Sequence, residues 1–376
     1  MKILQLGKFY PIRGGVEKVM YDLMSGLSAR GVDCDMMCAT TEGGSRIETL
    51  NDHASLICCD TMAKAAATMI SPKMIYALRR VCHNYDIIHI HHPDPMACMA
   101  LYFSGYDGRV ILHWHSDILK QKYLLKLYKP FQDWLLRRAD IIVGTTPIYV
   151  KESPFLKHVQ HKITSFPIGT DPLDMKKGKP NYVRESYKDK KIIFSLGRLV
   201  EYKGYEYLID AALHLPDDYV ILIGGTGPLR AKLQTQIDAS KLNDKVKLIG
   251  FIEDKDLPFY YDACSLFCLS SVFKTEAFGI VQIEAMSCSK PVIATIIPGS
   301  GTYWVNAHNE SGLNIEPGNS QELANAIINI TSDEHTYDRY CRGARRRYEQ
   351  HFTYNKMIDN CLNIYNRVLT QEGDGN

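Results

Sequence analysis

No stretch of this sequence holds the roughly 18 consecutive apolar residues that a membrane-spanning helix requires. Any contact with a bilayer is therefore expected to be peripheral. The N-terminus offers one short apolar strand, residues 1–6, running into Gly7, with neither the apolar length nor the cleavage site of a secretory leader. A CxxC pair is also lacking. The eleven cysteines are odd in number and scattered, which fits reduced thiols in a cytoplasmic setting better than a disulfide framework. There is no excess of one charge either: 44 Lys and Arg stand against 42 Asp and Glu, a net +2, so no nucleic-acid partner is expected. The glycines after the first strand do not spell GxGxxG, which argues against a nicotinamide dehydrogenase.

What is present is enough apolar residue for two cores. At 376 residues with 45% hydrophobic, the chain exceeds the size at which one core stops growing. Short apolar runs alternate with helical patterns, the signature of βα units on parallel sheets. Strands are predicted at residues 3–6, 32–38, 56–59, 87–90, 110–113, 141–143 and 163–166, and then at 192–196, 219–223, 246–249, 266–269 and 292–294. The polar stretch 169–191 between the two sets reads as a linker. The expectation is an α/β protein of two Rossmann-like, doubly wound parallel-sheet domains facing a cleft, residues 1–180 and 181–352. A C-terminal helix, 353–376, would pack back across the linker. Residues 1–180 carry 23 Lys and Arg against 17 Asp and Glu, and residues 181–376 carry 21 against 25. The first half is thus modestly basic, as an anionic membrane surface or a diphosphate would favour.

In open α/β sheets ligands bind beyond the carboxyl ends of the strands, so the loops there carry the chemistry. Glu276 and Glu284, with seven residues between them, follow strand 266–269, about 12 Å apart if the intervening residues are helical. The amides near Gly279 at the following helix start would suit an anion. The structural alternative is an acidic helix start with a second, solvated Glu. Directly after strand 192–196, Gly197, Arg198, Lys203 and Gly204 put two cations at a tight turn, where they could neutralise a leaving diphosphate; the alternative is a solvated basic turn. Gly14-Gly15 and the run Gly224-Gly225-Thr226-Gly227 each place bare backbone amides at a helix start, as phosphate or sugar contact requires.

His115 and Asp117, after strand 110–113, are candidate partners for sugar hydroxyls; alternatively the His packs and the Asp caps a helix. His89, His91 and His92 invite a metal reading, but no second ligand group stands out, and no metal is expected. Asp33-Cys34-Asp35 mimics the DxD of metal-dependent transferases, yet lies inside a strand and reads as coincidence. The segment 118–138 interleaves Lys120, Lys122, Lys126, Lys129, Arg137 and Arg138 with aromatic and aliphatic residues, with Pro130 expected to kink or divide it. It suits an anionic membrane, or else its apolar residues are core.

Taken together, the residues resemble glycosyltransferase family 4, with the GT-B fold, over nearly the whole chain. Gly14-Gly15-Val16-Glu17 looks like that family's N-terminal glycine loop, Gly197-Arg198 with Lys203 its basic pair, and Glu276 through Glu284 its EX7E signature. The resemblance implies a retaining, metal-independent transfer of a hexose from a nucleoside-diphosphate sugar, with no cofactor. Arg198 and Lys203 would hold the diphosphate, Glu276 and the amides of Phe278, Gly279 and Ile280 the sugar, and Glu284 the ribose. His115 matches a family histidine near the transferred sugar. Gly225 and Gly227 fall on the donor side. Pro167-Ile168-Gly169 departs from the usual Pro-Asn-Gly before the linker. Members similar to this chain build O-antigen, capsule or exopolysaccharide on a lipid diphosphate at the inner face of the cytoplasmic membrane. A non-hydrolysing sugar-nucleotide epimerase and a non-catalytic binding subunit are the competing readings.

Overall fold

The computed structural model describes the chain except residues 13, 66–67, 119–121, 175–179 and 371–376, and the side chains of residues 65 and 122–125. It divides into two compact units, Met1–Ile168 with Asn355–Asn376, and Gly169–Tyr354. The division falls at the first residue of the polar stretch, not at 180.

The first unit holds β1 (Lys2–Tyr10), β2 (Asp33–Thr40), β3 (Arg46–Asn51), β4 (Ala54–Asp60), the small hairpin β5 (Ala63–Ala65) and β6 (Thr68–Ile70), β7 (Ile87–His92), β8 (Arg109–Trp114), β9 (Ile141–Gly144) and β10 (Ile163–Ser165). Its eight-stranded sheet runs β10-β9-β8-β7-β1-β2-β4-β3. Edge strand β3 pairs antiparallel with β4, while β1 is parallel to both β2 and β7. The second unit holds β11 (Lys191–Leu196), β12 (Tyr219–Gly224), β13 (Val246–Gly250), β14 (Leu266–Leu269), β15 (Val292–Thr295) and β16 (Gly312–Ile315). Its order is β13-β12-β11-β14-β15-β16, all parallel.

A parallel sheet covered on both faces needs strands that are apolar throughout. Strand β12, YVILIG, is buried at every residue. So is β7, IIHIHH, which takes three imidazoles into the interior of the first unit. Helix Tyr354–Thr370 buries Met357, Ile358, Cys361, Tyr365 and Val368, a stripe at helical spacing, and the segment from Asn355 belongs to the first unit. Arg30 ties it there by an ion pair with Asp359 and a bond to Asn355. All eleven cysteines are free thiols, nine of them buried.

Each sheet has one point where strand order reverses. In the first unit it lies between β1 and β7, and in the second between β11 and β14. These switch points are where doubly wound sheets open a crevice at their carboxyl edge. They decide which loops can carry a site.

Candidate functional site

In the second unit the loop after β11 carries Gly197, Arg198 and Lys203, and the loop after β14 carries Ser271 and Glu276. The switch point brings them together. Lys203 Nζ lies 2.5 Å from Glu276 Oε2, both side chains buried, and the same oxygen accepts from Ser271 Oγ at 3.0 Å. The two loops are laced by backbone: Val272 N donates to Tyr202 O at 2.8 Å, and Ser270 Oγ to Lys203 O at 2.9 Å. Ser300 Oγ donates to the Glu276 carbonyl at 2.5 Å, and Gly301 N to the Ala277 carbonyl at 2.9 Å. Arg198, by contrast, is exposed. Burial, and after it the Glu276 carboxylate, pushes the phenols of Tyr202 and Tyr205 upward.

The glycine run after β12 packs on the same loop. A Cβ at Gly225 would fall 2.0 Å from the Gly197 carbonyl oxygen, and one at Gly227 2.4 Å from that of Leu199. No larger residue fits between the two loops, so both keep their backbone close to the Lys203 ammonium, which itself lies 3.1 Å from where a Gly197 Cβ would stand.

The EX7E stretch is not one continuous helix. Gly279, with φ at 77°, is the N-cap, and the helix spans only Ile280–Ser287. The 12 Å separation expected for a helical run therefore does not apply, because residues 276–279 are irregular. Phe278 and Gly279 are buried and Ile280 half-buried. Glu284 accepts a hydrogen bond from Tyr261 Oη at 2.7 Å, and burial followed by that carboxylate raises the Tyr261 phenol.

In the first unit Gly14 is the extended N-cap of helix Gly15–Ser28. Glu17 folds over it, its Oε2 2.5 Å from where a Gly14 Cβ would be. Beside the switch point, at the ends of neighbouring strands, His91 on β7 and His115 beyond β8 meet, with Nδ1 and Nε2 2.9 Å apart. Asp117 is a brace: its Oδ1 accepts from Trp114 Nε1 at 2.9 Å and Ser153 Oγ at 2.7 Å, and its amide donates to Tyr149 Oη at 2.8 Å. It is buried among these partners, a structural role different from the helix cap set against a sugar contact in the sequence.

For the imidazoles of β7, the sheet supplies the neighbours that the sequence left unseen. His91, His113 and His115 bring ring nitrogens within 4.8 Å of one another. The rings of His113 and His115, however, are stacked face to face, 3.9 Å apart at 16°, so their in-plane lone pairs run side by side, and His91 Nδ1 is already engaged by His115 Nε2; the three do not converge on one ion. Burial depresses all five pKa values; those of His92 and His113 fall to about 3. The DxD lookalike is likewise occupied, Asp33 by His53 and Asp35 by Ser55 and Tyr85.

Of the basic segment, Lys120 lies outside the described residues, as does the side chain of Lys122. Helix Lys122–Arg138 runs through Pro130 undivided. Tyr128, Leu135 and Leu136 are core, whereas Lys126, Lys129 and Arg137 are exposed and Leu127 is 76% exposed. Helix Pro95–Ser104 adds Tyr102 and Phe103, also exposed, with the Tyr102 ring edge-on to Phe131 and Trp134. No described helix is long and apolar enough to cross a membrane.

Sequence reasoning missed Ser271, Tyr261, Gln5 and Tyr365. Gln5 alone left a trace, a polar side chain inside an apolar strand. A cavity of 660 Å³ in the second unit, lined by Lys191, Asp262, Ser265, Lys290, Asp333 and Tyr337, opens at the amino ends of the strands, away from these loops.

Two parallel-sheet units of this kind form the architecture of GT-B glycosyltransferases. Anabaena HepE in its complex with UDP superposes with a TM-score of 0.79 at 21% identity, over 98% of this chain and 100% of that one. Sucrose-phosphate synthase from Thermosynechococcus elongatus gives 0.79 at 22%, over 99% and 100%. Residues 13–172 match the Glycosyltransferase Family 4 model and residues 181–347 that of Glycosyl transferases group 1. O-antigen chain mannosyltransferase C of Escherichia coli is 33% identical over 375 residues, 98% of this chain and 99% of that protein. The D-rhamnosyltransferase WbpZ of Pseudomonas aeruginosa is 27% identical, covering 94% and 92%. The chain belongs to this glycosyltransferase family.

Proposed function

We propose that the protein transfers a hexose from a nucleoside-diphosphate sugar to a lipid-diphosphate-linked glycan, with retention of anomeric configuration, in the synthesis of a bacterial surface polysaccharide. The observation that carries this reading is the buried Lys203–Glu276 pair at the switch point of the second unit. Without donor, the carboxylate is the ammonium's counter-charge. A donor diphosphate would take that place, leaving Glu276 to accept from a sugar hydroxyl. Arg198 would complete the neutralisation, which removes the electrostatic need for a divalent ion. Phe278, Gly279 and Ile280 would offer amides to the sugar, and Glu284, held by Tyr261, would bind ribose hydroxyls. In the first unit the proposal gives the sugar to His115 and an anion to the helix start at Gly14-Gly15. Asp117 has no part in it.

In the step proposed, the bond from the anomeric carbon to the diphosphate oxygen breaks and the acceptor oxygen bonds to the same face. The acceptor proton passes to the departing diphosphate, so no protein nucleophile is needed. The polysaccharide reading draws support from the relatives named for O-antigen mannosyl and D-rhamnosyl transfer, and a nucleotide donor from the UDP complex of HepE. The setting proposed is peripheral, on the inner face of the cytoplasmic membrane. Product NMR is the test: the anomeric coupling should match that of the donor, and turnover should survive EDTA. An inverted product would remove the retaining mechanism, and activity restored by manganese after EDTA would remove metal independence alone.

A further inference from the structure

The imidazoles of the first unit belong to one hydrogen-bonded chain that ends at His115. His115 Nε2 lies 2.9 Å from His91 Nδ1, and His91 Nε2 2.8 Å from Gln5 Oε1. Gln5 Nε2 donates to Tyr365 Oη at 2.8 Å, and Tyr365 Oη lies 2.7 Å from His89 Nδ1. Five side chains from two strands, the segment following β8 and the C-terminal helix are thereby strung together, all of them buried.

A neutral imidazole has a single N–H, so it donates at one nitrogen and accepts at the other. Burial holds these rings in the neutral form. The chain can then run in only two senses, and the Gln5 amide selects between them. In the structure its NH₂ donates to Tyr365 Oη and, at 3.5 Å, to Cys34 Sγ, with the Tyr365 hydroxyl within reach of His89 Nδ1 for its own proton, and its carbonyl faces His91. His91 must then carry its proton on Nε2 and accept at Nδ1, which requires His115 to donate from Nε2. What remains on His115 is Nδ1 with its lone pair.

We propose that Gln5 and Tyr365 are positioning residues that act through His91 to hold His115 as its Nε2–H tautomer, so that Nδ1 accepts a hydrogen bond from a hydroxyl of the transferred sugar. This rests on the sugar-facing role given to His115 above. It also gives the return of the C-terminal helix a chemical purpose, since Tyr365 is the residue through which that helix enters the chain. Without that hydroxyl the Gln5 NH₂ keeps only the weak thiol acceptor, the amide is free to turn its NH₂ to His91 instead, and the tautomer is no longer held.

The test is long-range proton–nitrogen NMR of histidine-labelled full-length protein, with the His115 signals assigned by their loss in His115→Ala. The wild type should show His91 and His115 protonated at Nε2. Tyr365→Phe should give His115 a mixture of tautomers and lower kcat by about 10- to 100-fold, the range seen where outer partners orient a ligating histidine, with KM for the donor little changed. Gln5→Glu keeps an acceptor toward His91 and should keep the Nε2–H tautomer, whereas Gln5→Leu should lose it. A wild-type His115 protonated at Nδ1, or a tautomer indifferent to Tyr365→Phe and Gln5→Leu, would overturn the proposal. So would loss of the Nε2–H form in Gln5→Glu, which stands as the second variant should Tyr365→Phe not fold. Wild-type kcat in His115→Ala would instead remove the sugar-facing role, and the NMR result would stand apart from it.

Discussion

The ammonium of Lys203 and the carboxylate of Glu276 form a buried ion pair, 2.5 Å apart, across the strand-order reversal of the second unit. Breaking such a pair from one side leaves an uncompensated buried charge, at a cost of about 3–5 kcal/mol. Lys203→Ala should therefore lower the melting temperature as well as turnover, the latter by about 10²-fold as for other lost transition-state contacts. Combining Lys203→Met with Glu276→Gln removes both charges and should recover most of the stability but none of the activity. Arg198→Ala, at an exposed position, should leave stability within about 0.5 kcal/mol while depressing turnover about as much as Lys203→Ala. Thermal melts beside initial rates read all three; strictly additive losses in the double variant would show that the pair is not coupled.

Glu276 and Glu284 are assigned to opposite ends of the donor and should fail differently. Glu276→Gln should depress turnover more than binding of the bare nucleoside diphosphate, and Glu284→Ala the reverse. Tyr261→Phe keeps the buried ring and removes the hydroxyl that holds Glu284; one lost hydrogen bond, about 1 kcal/mol, should weaken the nucleotide roughly fivefold. Calorimetry with the bare nucleotide decides the matter, and a larger binding defect in Glu276→Gln would reverse the orientation.

Apolar runs announced the central strands, because a strand buried on both faces must be continuously hydrophobic. Strand β3 escaped for the converse reason: RIETLN lies at an edge, mostly exposed, and reads as polar surface. Strand β16, GLNI, is four residues long with a polar Asn. The basic turn and the two glutamates were visible as motifs, but their pairing is a tertiary fact set by which strands flank the switch point. Likewise His91 and His115 are 24 residues apart, and only the β7–β8 register puts them on one face. Tyr365 sits within the apolar stripe of its helix, where nothing in the local sequence marks it, since its hydroxyl finds Gln5 from 360 residues away.

Acid should destabilise the first unit. His89, His91, His92, His113 and His115 all have native pKa values pulled below the usual imidazole range by burial, His92 and His113 to about 3. Between those values and the unfolded value near ~6.5, the unfolded chain binds more protons. Stability is therefore complete above about pH 6.5 and falls as pH drops, by about 1.4 kcal/mol per pH unit for each such histidine. Fluorescence of Trp114, stacked 3.7 Å from His92, should report the transition. His113, both of whose nitrogens are buried without a hydrogen-bond partner, offers a control: His113→Leu should hold or raise stability at pH 7.5 and flatten the acid slope. A melting temperature independent of pH between 7.5 and 5 would contradict this.

Helices Pro95–Ser104 and Lys122–Arg138 build a face that should bind an anionic membrane surface. Tyr102, Phe103 and Leu127 are exposed there, and Lys126, Lys129 and Arg137 are exposed on the second helix. Aromatic rings favour the headgroup level of a bilayer, and each Lys or Arg near an anionic surface contributes about 1 kcal/mol. The protein should therefore sediment with phosphatidylglycerol-containing vesicles, leave them at high salt as screening shortens the charge interaction, and bind phosphatidylcholine vesicles poorly. Lys126→Glu should weaken binding by at least fivefold, one lost charge's worth at about 1 kcal/mol. Leu127→Asp and Phe103→Ala should weaken it at every salt concentration, since their contribution is burial and not charge. Both of these are exposed positions, so the fold should tolerate the changes. Equal binding to neutral and anionic vesicles would leave the basic residues no role, and no binding to either would return this face to ordinary solvated surface.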